Sequence, residues 1–194
     1  MVIIDYYLKI KPLKNWDECG DTGLIKEYNN QLFFALIDGA GHSSNAHKIA
    51  FIVRNFLADN HHMELKKLME TLNQIIKGSN GAVVSACKID LETDYLRNVG
   101  VGDITLKIFS RRSIELLSKP GIIGYVMPRL KENTHQLQEG DILVMYTDGV
   151  RKHFNLNNYP ETRNKDSKTI ANYLISQFGR KTDDSACLVL KYGV

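Results

Sequence analysis

Asp21, Asp38, Asp148 and Asp183 lie far apart in the chain, yet each stands at the edge of an apolar run that reads as a strand. Their settings are Cys19-Gly20-Asp21, Leu36-Ile37-Asp38-Gly39, Tyr146-Thr147-Asp148-Gly149, and Thr182-Asp183-Asp184 just before Ser185-Ala186-Cys187-Leu188. Carboxylates carried to one place by strand ends suit hard divalent cations, which prefer oxygen ligands. Asp-Gly is also a common turn dipeptide, because both residues tolerate turn backbone, so one such pair carries little. Two of them, each after a strongly apolar run, with Gly-Asp before and Asp-Asp after, point to a metal site instead.

Other chemistries fit less well. Cys19, Cys87 and Cys187 are odd in number and have no paired spacing, so neither a disulfide framework nor a zinc cluster is expected. A thiol phosphatase needs an Arg six positions after its nucleophilic Cys, where this chain has Ile25, Thr93 and Gly193. His42 and His47 are one residue off the i, i+4 spacing of a zinc pair on a helix.

The elements that must position the aspartates are legible as periodicity. Val2, Ile4, Tyr6, Leu8 and Ile10 alternate with more polar partners, the period of a half-buried strand. Comparable runs fall near 23–28, 32–37, 82–89, 95–101, 104–109, 142–147 and 185–191. Ala46, Ile49, Ala50, Val53, Phe56 and Leu57 share one helical face, with Ser43 or Ser44 as N-cap. Leu65, Leu68, Leu72, Ile75 and Ile76 mark a second helix closed by Gly78, and Asp166 caps a last one that ends at Gly179. Strand clusters broken by two consecutive helices, then more strands and a late helix, give an α+β layered domain rather than repeated βαβ units. No linker or repeat divides the 194 residues, so one domain over 1–194 is expected.

The order of these motifs resembles the metal-dependent serine/threonine protein phosphatases of type 2C, in their bacterial sporulation and stress-response branch. Asp38-Gly39-Ala40-Gly41-His42 looks like that branch's Asp-Gly-x-Gly-His element, Asn80-Gly81-Ala82 its Gly-Ala strand, and Val99-Gly100-Val101-Gly102-Asp103 its Val-Gly-x-Gly-Asp turn. Tyr146-Thr147-Asp148-Gly149 matches its Thr-Asp-Gly signature, and Asp183-Asp184 its closing pair. The resemblance implies a four-layer αββα sandwich, two antiparallel sheets flanked by helices, with metals at one edge.

It also implies a mechanism. A phosphomonoester at neutral pH is dianionic and repels nucleophiles, and two cations about 3.5–4 Å apart supply both charge neutralisation and a deprotonated water. By resemblance these are two Mn²⁺ or Mg²⁺ ions, with a third, weaker one. Asp38 would bridge the pair and Gly39 would add its carbonyl. Asp148 and Asp183 would hold one ion, Asp21 would act mostly through water on the other, and Asp103 would hold the third. Asp183 is preferred to Asp184 because the family's first Asp of the pair is the ligand, and adjacent side chains on an extended strand point to opposite faces. Ala40 occupies the position of the general-acid histidine of eukaryotic relatives, so His42, although able to titrate near neutrality, is expected to be structural or helix-capping. No Arg near the start matches those relatives' phosphate anchor; Lys11 and Lys14 are nearby.

A net charge of +3 from 25 basic and 22 acidic residues offers no electrostatic case for nucleic acid or membrane. With neither a bilayer-spanning run nor a signal pattern, a cytoplasmic monomer is expected. The resemblance implies a phosphorylated serine/threonine regulatory partner of the STAS (sulfate-transporter/anti-sigma-antagonist) or stressosome type. A non-catalytic binding module of the same fold and a phosphatase of small molecules are the alternatives. The presence of all four core aspartates favours catalysis.

Overall fold

Period-two alternation runs through the apolar segments, and in the computed structural model, which describes residues 3–41 and 44–193, both faces of the central strands are buried. The strands are β1 (Ile4–Lys11), β2 (Asp21–Tyr28), β3 (Gln31–Gly39), β4 (Ala82–Asp90), β5 (Tyr95–Val101), β6 (Thr105–Phe109), β7 (Ser113–Leu116), β8 (Glu132–Gln136), β9 (Ile142–Tyr146) and β10 (Ser185–Tyr192). The helices are α1 (Ser44–Asn60), α2 (Leu65–Ile75), α3 (Pro160–Arg163) and α4 (Ser167–Phe178). One sheet has the order β1-β10-β9-β6-β7 and the other β2-β3-β4-β5-β8. Neighbouring strands are antiparallel throughout.

Three apolar layers separate four layers of structure. Phe33, Ala35 and Ile37 of β3 pack with α1 and α2. Leu32, Phe34 and Leu36, on the opposite face of the same strand, meet Leu143 and Met145 of β9 and Leu188 and Leu190 of β10 between the sheets. Val144, Tyr146, Cys187 and Val189 then turn outward onto Ile170, Ala171 and Leu174 of α4. This is the αββα sandwich, and the alternation of each inner strand is a division between two cores rather than between core and water.

The three long helices lie where their periodicity put them. Asp166 caps α4, accepting from the Thr169 N–H at 2.7 Å. Gly78 follows α2 at φ +84°. Helix α1 begins at Ser44; the Ser43 capping alternative, His42 and Val2 fall outside the described residues. Two strands were not visible in the sequence. Strands β7 and β8 are short edge strands whose residues are at most half-buried, and Glu-Asn-Thr-His-Gln in β8 has no apolar period to read.

One turn decides the geometry of the metal edge. Asn29 and Asn30 take positive φ, +43° and +57°, and close the β2–β3 hairpin; left-handed residues at both central positions match the twist of a two-residue hairpin. The turn sets the register, and the register places Asp21 directly opposite Asp38.

Candidate metal centre

The chain passes from one sheet to the other three times at the same end of the sandwich: between β1 and β2 through residues 12–20, between β5 and β6 through residues 102–104, and between β7 and β8 through residues 117–131. The end of β9 and the approach to β10 lie there as well. Asp21 opens β2 and faces Asp38, the penultimate residue of β3. Asp38-Gly39 is therefore extended strand, paired with Val83 and Ala82 of β4, and not a turn. Asp148-Gly149 is one: the Val150 N–H donates to the Thr147 carbonyl at 3.0 Å across it. Asp21, Asp38, Gly39, Asp183 and Asp184 line a single open hollow of about 480 Å³.

Glycines keep this edge closed. A Cβ on Gly39 would lie 2.2 Å from the Ala46 carbonyl oxygen, so α1 can lean on the end of β3 only over a glycine. A Cβ on Gly149 would lie 1.7 Å from the Asp184 carbonyl oxygen. The two Asp-Gly glycines thus permit backbone contact, whereas turn freedom was the reason expected from the dipeptide.

A polar tie joins the sheets beside the carboxylates. The Thr147 hydroxyl accepts from the Ala186 N–H at 3.0 Å, which leaves its proton to donate, and it donates to Asp21 Oδ2 at 2.6 Å. Burial raises the Asp21 carboxyl well above the usual carboxylate range, Asp38 adds to this, and the Thr147 hydrogen bond opposes it. Burial, reinforced by Asp148, Asp103, Asp183 and Asp184, pushes the Asp38 carboxyl up to about 7. Asp148 is raised by burial, then by Asp103 and Asp183, with Arg180 and Lys152 pulling the other way. All three shifts follow from crowding like charges in a poorly solvated place.

The donors on this edge are hard oxygens of high negative density, the set that divalent Mg²⁺ or Mn²⁺ prefers. Among the described residues no three His, Cys, Asp or Glu side chains are placed so that they hold one ion between them. A cation here fits the mode in which one or two carboxylates hold the ion and water completes its shell, as is usual for Mg²⁺.

The model of the stage II sporulation protein E (SpoIIE) family matches residues 28–193. The chain belongs to the SpoIIE family. It is 25% identical over 135 residues to the phosphoserine phosphatase RsbX of Bacillus subtilis (strain 168), covering 68% of this chain and 67% of RsbX. A structure solved in work on the bacterial stressosome, as a modular system adapted to control secondary-messenger signalling, superposes with a TM-score of 0.90 at 25% identity, over 97% of this chain and 100% of that one. RsbX in complex with magnesium superposes at 0.86 with 20% identity, over 99% of this chain and 100% of that one. The type 2C phosphatase domain of SpoIIE from Bacillus subtilis, with a fragment of its regulatory domain, superposes at 0.81 with 18% identity, over 98% of this chain and 62% of that one. This SpoIIE-family member is thus a type 2C phosphatase of the RsbX kind.

The structure brings Asp21, Asp38, Gly39 and Asp183 to one hollow. Asp148 and Asp103 are not in its lining, though both stand close enough to raise Asp38. The Asp183-Asp184 pair precedes β10, which begins at Ser185; strand alternation therefore does not govern which of them faces the hollow, and both line it. What separates them is hydrogen bonding. Asp184 accepts from the Leu13 N–H at 2.7 Å and the Gly20 N–H at 2.8 Å, one bond to each carboxylate oxygen, and so fastens both ends of the β1–β2 crossing. Asp183 is exposed and, among the described residues, accepts only from the next residue's N–H, at 2.9 Å. Sequence reasoning assigned no role to Thr147 or Asp184. Their motifs were in view, but nothing local to either residue names a partner in the other sheet.

Proposed function

We propose that this SpoIIE-family chain is a divalent-metal-dependent phosphoserine/phosphothreonine protein phosphatase, one catalytic domain over residues 1–194, acting in the cytoplasm on a STAS-type or stressosome regulatory protein. The observation that carries this reading is Asp38, held in strand β3 opposite Asp21 and raised by four further aspartates that reach it from other elements. Bound Mn²⁺ or Mg²⁺ supplies charge neutralisation at the phosphoryl oxygens and an acidified water. The chain's own residues do the positioning. Asp38 and the Gly39 carbonyl would be shared between two ions, and Asp148 and Asp183, at the ends of the other sheet, would approach one of them, with water completing its shell. Asp21, its Oδ2 already taken by Thr147, would offer its other oxygen to an ion or an ion's water, and Asp103 would hold a third, weaker ion. The stressosome likeness at TM-score 0.90 and the RsbX likeness support the substrate class.

Hydrolysis of p-nitrophenyl phosphate with added Mn²⁺ or Mg²⁺ tests the chemistry, and EDTA should abolish it. Asp38→Asn should lower turnover by more than about 100-fold while the protein stays folded, since even outer partners of metal ligands cost about 10–100-fold. Full turnover in excess EDTA would remove metal from the mechanism. Loss of phosphate from phosphorylated STAS proteins, followed by intact mass, tests the substrate; hydrolysis of small phosphomonoesters alone would leave a phosphatase with a different substrate.

A further inference from the structure

The β1–β2 crossing does more than join the sheets. It carries Trp16, 60% exposed, the chain's one tryptophan. Beside it on α1 stands Phe51, 53% exposed. Large aromatic side chains left in water next to one another are the ordinary mark of a contact surface. Between them is a small hollow of about 70 Å³ lined by Ile10, Trp16, His47, Ala50 and Phe51, with Asp21 in its wall. Asp21 also lines the acidic hollow, so the apolar hollow and the candidate metal centre adjoin.

This surface is held rigid before anything binds. Asp184 fastens the crossing at Leu13 and Gly20, and Asn15 caps the turn that presents Trp16, accepting from the Glu18 N–H at 3.1 Å. His47 stacks on Phe51 with ring centroids 6.4 Å apart and an interplanar angle of 18°. Its Nδ1 lies 3.1 Å from the Cys19 carbonyl oxygen, which links α1 to the crossing. A preformed aromatic wall binds with little ordering cost.

We propose that Trp16, Phe51 and the hollow between them form a subsite for one apolar side chain of the substrate protein, close in sequence to the phosphorylated residue. The inference rests on the acidic hollow being the catalytic site. A peptide advances about 3.3 Å per extended residue, and Glu18, in the same turn as Trp16, lines the acidic hollow, so a segment with its phosphate there would bring side chains a few residues away to Trp16. The volume equals roughly two waters of liquid and takes the tip of an aliphatic side chain. A small phosphomonoester fills only the acidic hollow, and the subsite is silent toward it.

The test uses phosphoserine peptides that differ only in having leucine or aspartate at the positions flanking phosphoserine. The full chain should prefer the leucine peptides by about tenfold in kcat/KM, the scale of one aliphatic group in an apolar pocket. Trp16→Ala and Phe51→Ala should remove that preference through KM, Trp16→Phe should keep most of it, and all three should turn over p-nitrophenyl phosphate at the parent rate. A readout free of turnover uses the full chain with Mn²⁺ and the same peptides carrying a non-hydrolysable phosphonate in place of the phosphoserine ester: Trp16 emission should shift to the blue with the leucine peptide and stay unchanged with the aspartate one. A flat preference in the parent chain, or one that survives Trp16→Ala, overturns the subsite while leaving the phosphatase reading intact. So does a parallel loss of p-nitrophenyl phosphate turnover, which would make the crossing a support of the metal edge. A concentration-dependent dimer abolished by Trp16→Ala would assign the surface to a second copy of the chain and overturn it as well. Absence of hydrolysis of every phosphoester with Mn²⁺ removes the catalytic reading, and the subsite with it.

Discussion

Asp183 and Asp184 are neighbours with the same chemistry, and their hydrogen bonds give them different work. Both oxygens of Asp184 are taken by backbone N–H groups, one of them at the buried Gly20, whereas Asp183 is exposed, accepts from the Asp184 N–H alone among the described residues, and lines the acidic hollow. Asp184→Ala should therefore lower the stability of the metal-free protein by about 1–3 kcal/mol, the cost of stranding donors that had a charged acceptor. Asp183→Ala should leave metal-free stability unchanged or raise it, because it removes one of the charges crowding Asp38, and should weaken Mn²⁺ binding. Urea unfolding of both variants, with Mn²⁺ titration by calorimetry, checks this. Equal destabilisation by the two would show that the Leu13 and Gly20 bonds contribute nothing.

At the scale of elements, the metal edge depends on how two sheets meet rather than on either one. Thr147 follows β9, Ala186 lies in β10, and Asp21 opens β2 of the opposite sheet; one hydroxyl joins all three. Thr147→Val keeps the shape and removes the hydroxyl, leaving the buried Ala186 N–H without its acceptor and Asp21 without its donor. It should cost about 1–3 kcal/mol, with an unchanged dependence on denaturant. Thr147→Ser should recover most of the loss. A valine variant as stable as the parent would mean that the sheets are held at this edge by packing alone.

For the whole molecule, the repulsion stored at one edge of a well-packed sandwich makes stability and metal binding two views of one balance. The three cores bury both faces of β3, β4, β9 and β10, so the fold tolerates several like charges at its rim. Ligands that bind only the folded state stabilise it, by about 2.7 kcal/mol at one hundred times their dissociation constant. For a chain of this size that is a rise of about 5–10 °C in the melting temperature. Saturating Mn²⁺ should raise the melting temperature of the parent by that amount and leave Asp38→Asn nearly unmoved. An equal rise in both would place the stabilising cation somewhere other than the Asp38 edge.

Sequence alone determined the strands with an apolar period, the three long helices and the Asp166 cap, because these depend on residues within a few positions of one another. It also supplied the aspartates and the order of motifs that led to the type 2C family. It left β7 and β8 unread, since β7 alternates over only four residues, Ser-Ile-Glu-Leu, and β8, Glu-Asn-Thr-His-Gln, has no apolar residue, and it read Asp38-Gly39 with a turn's preferences although the pair lies in a strand. Only the tertiary structure decided that Gly39 and Gly149 are needed for backbone approach, that Asp184 holds the crossing at Leu13 and Gly20, and that Thr147 reaches Asp21. The reason is distance along the chain. Asp184 meets Gly20 across 164 positions and Thr147 meets Asp21 across 126; periodicity states which face a residue takes, while its polar partner is chosen by whichever element packs against that face.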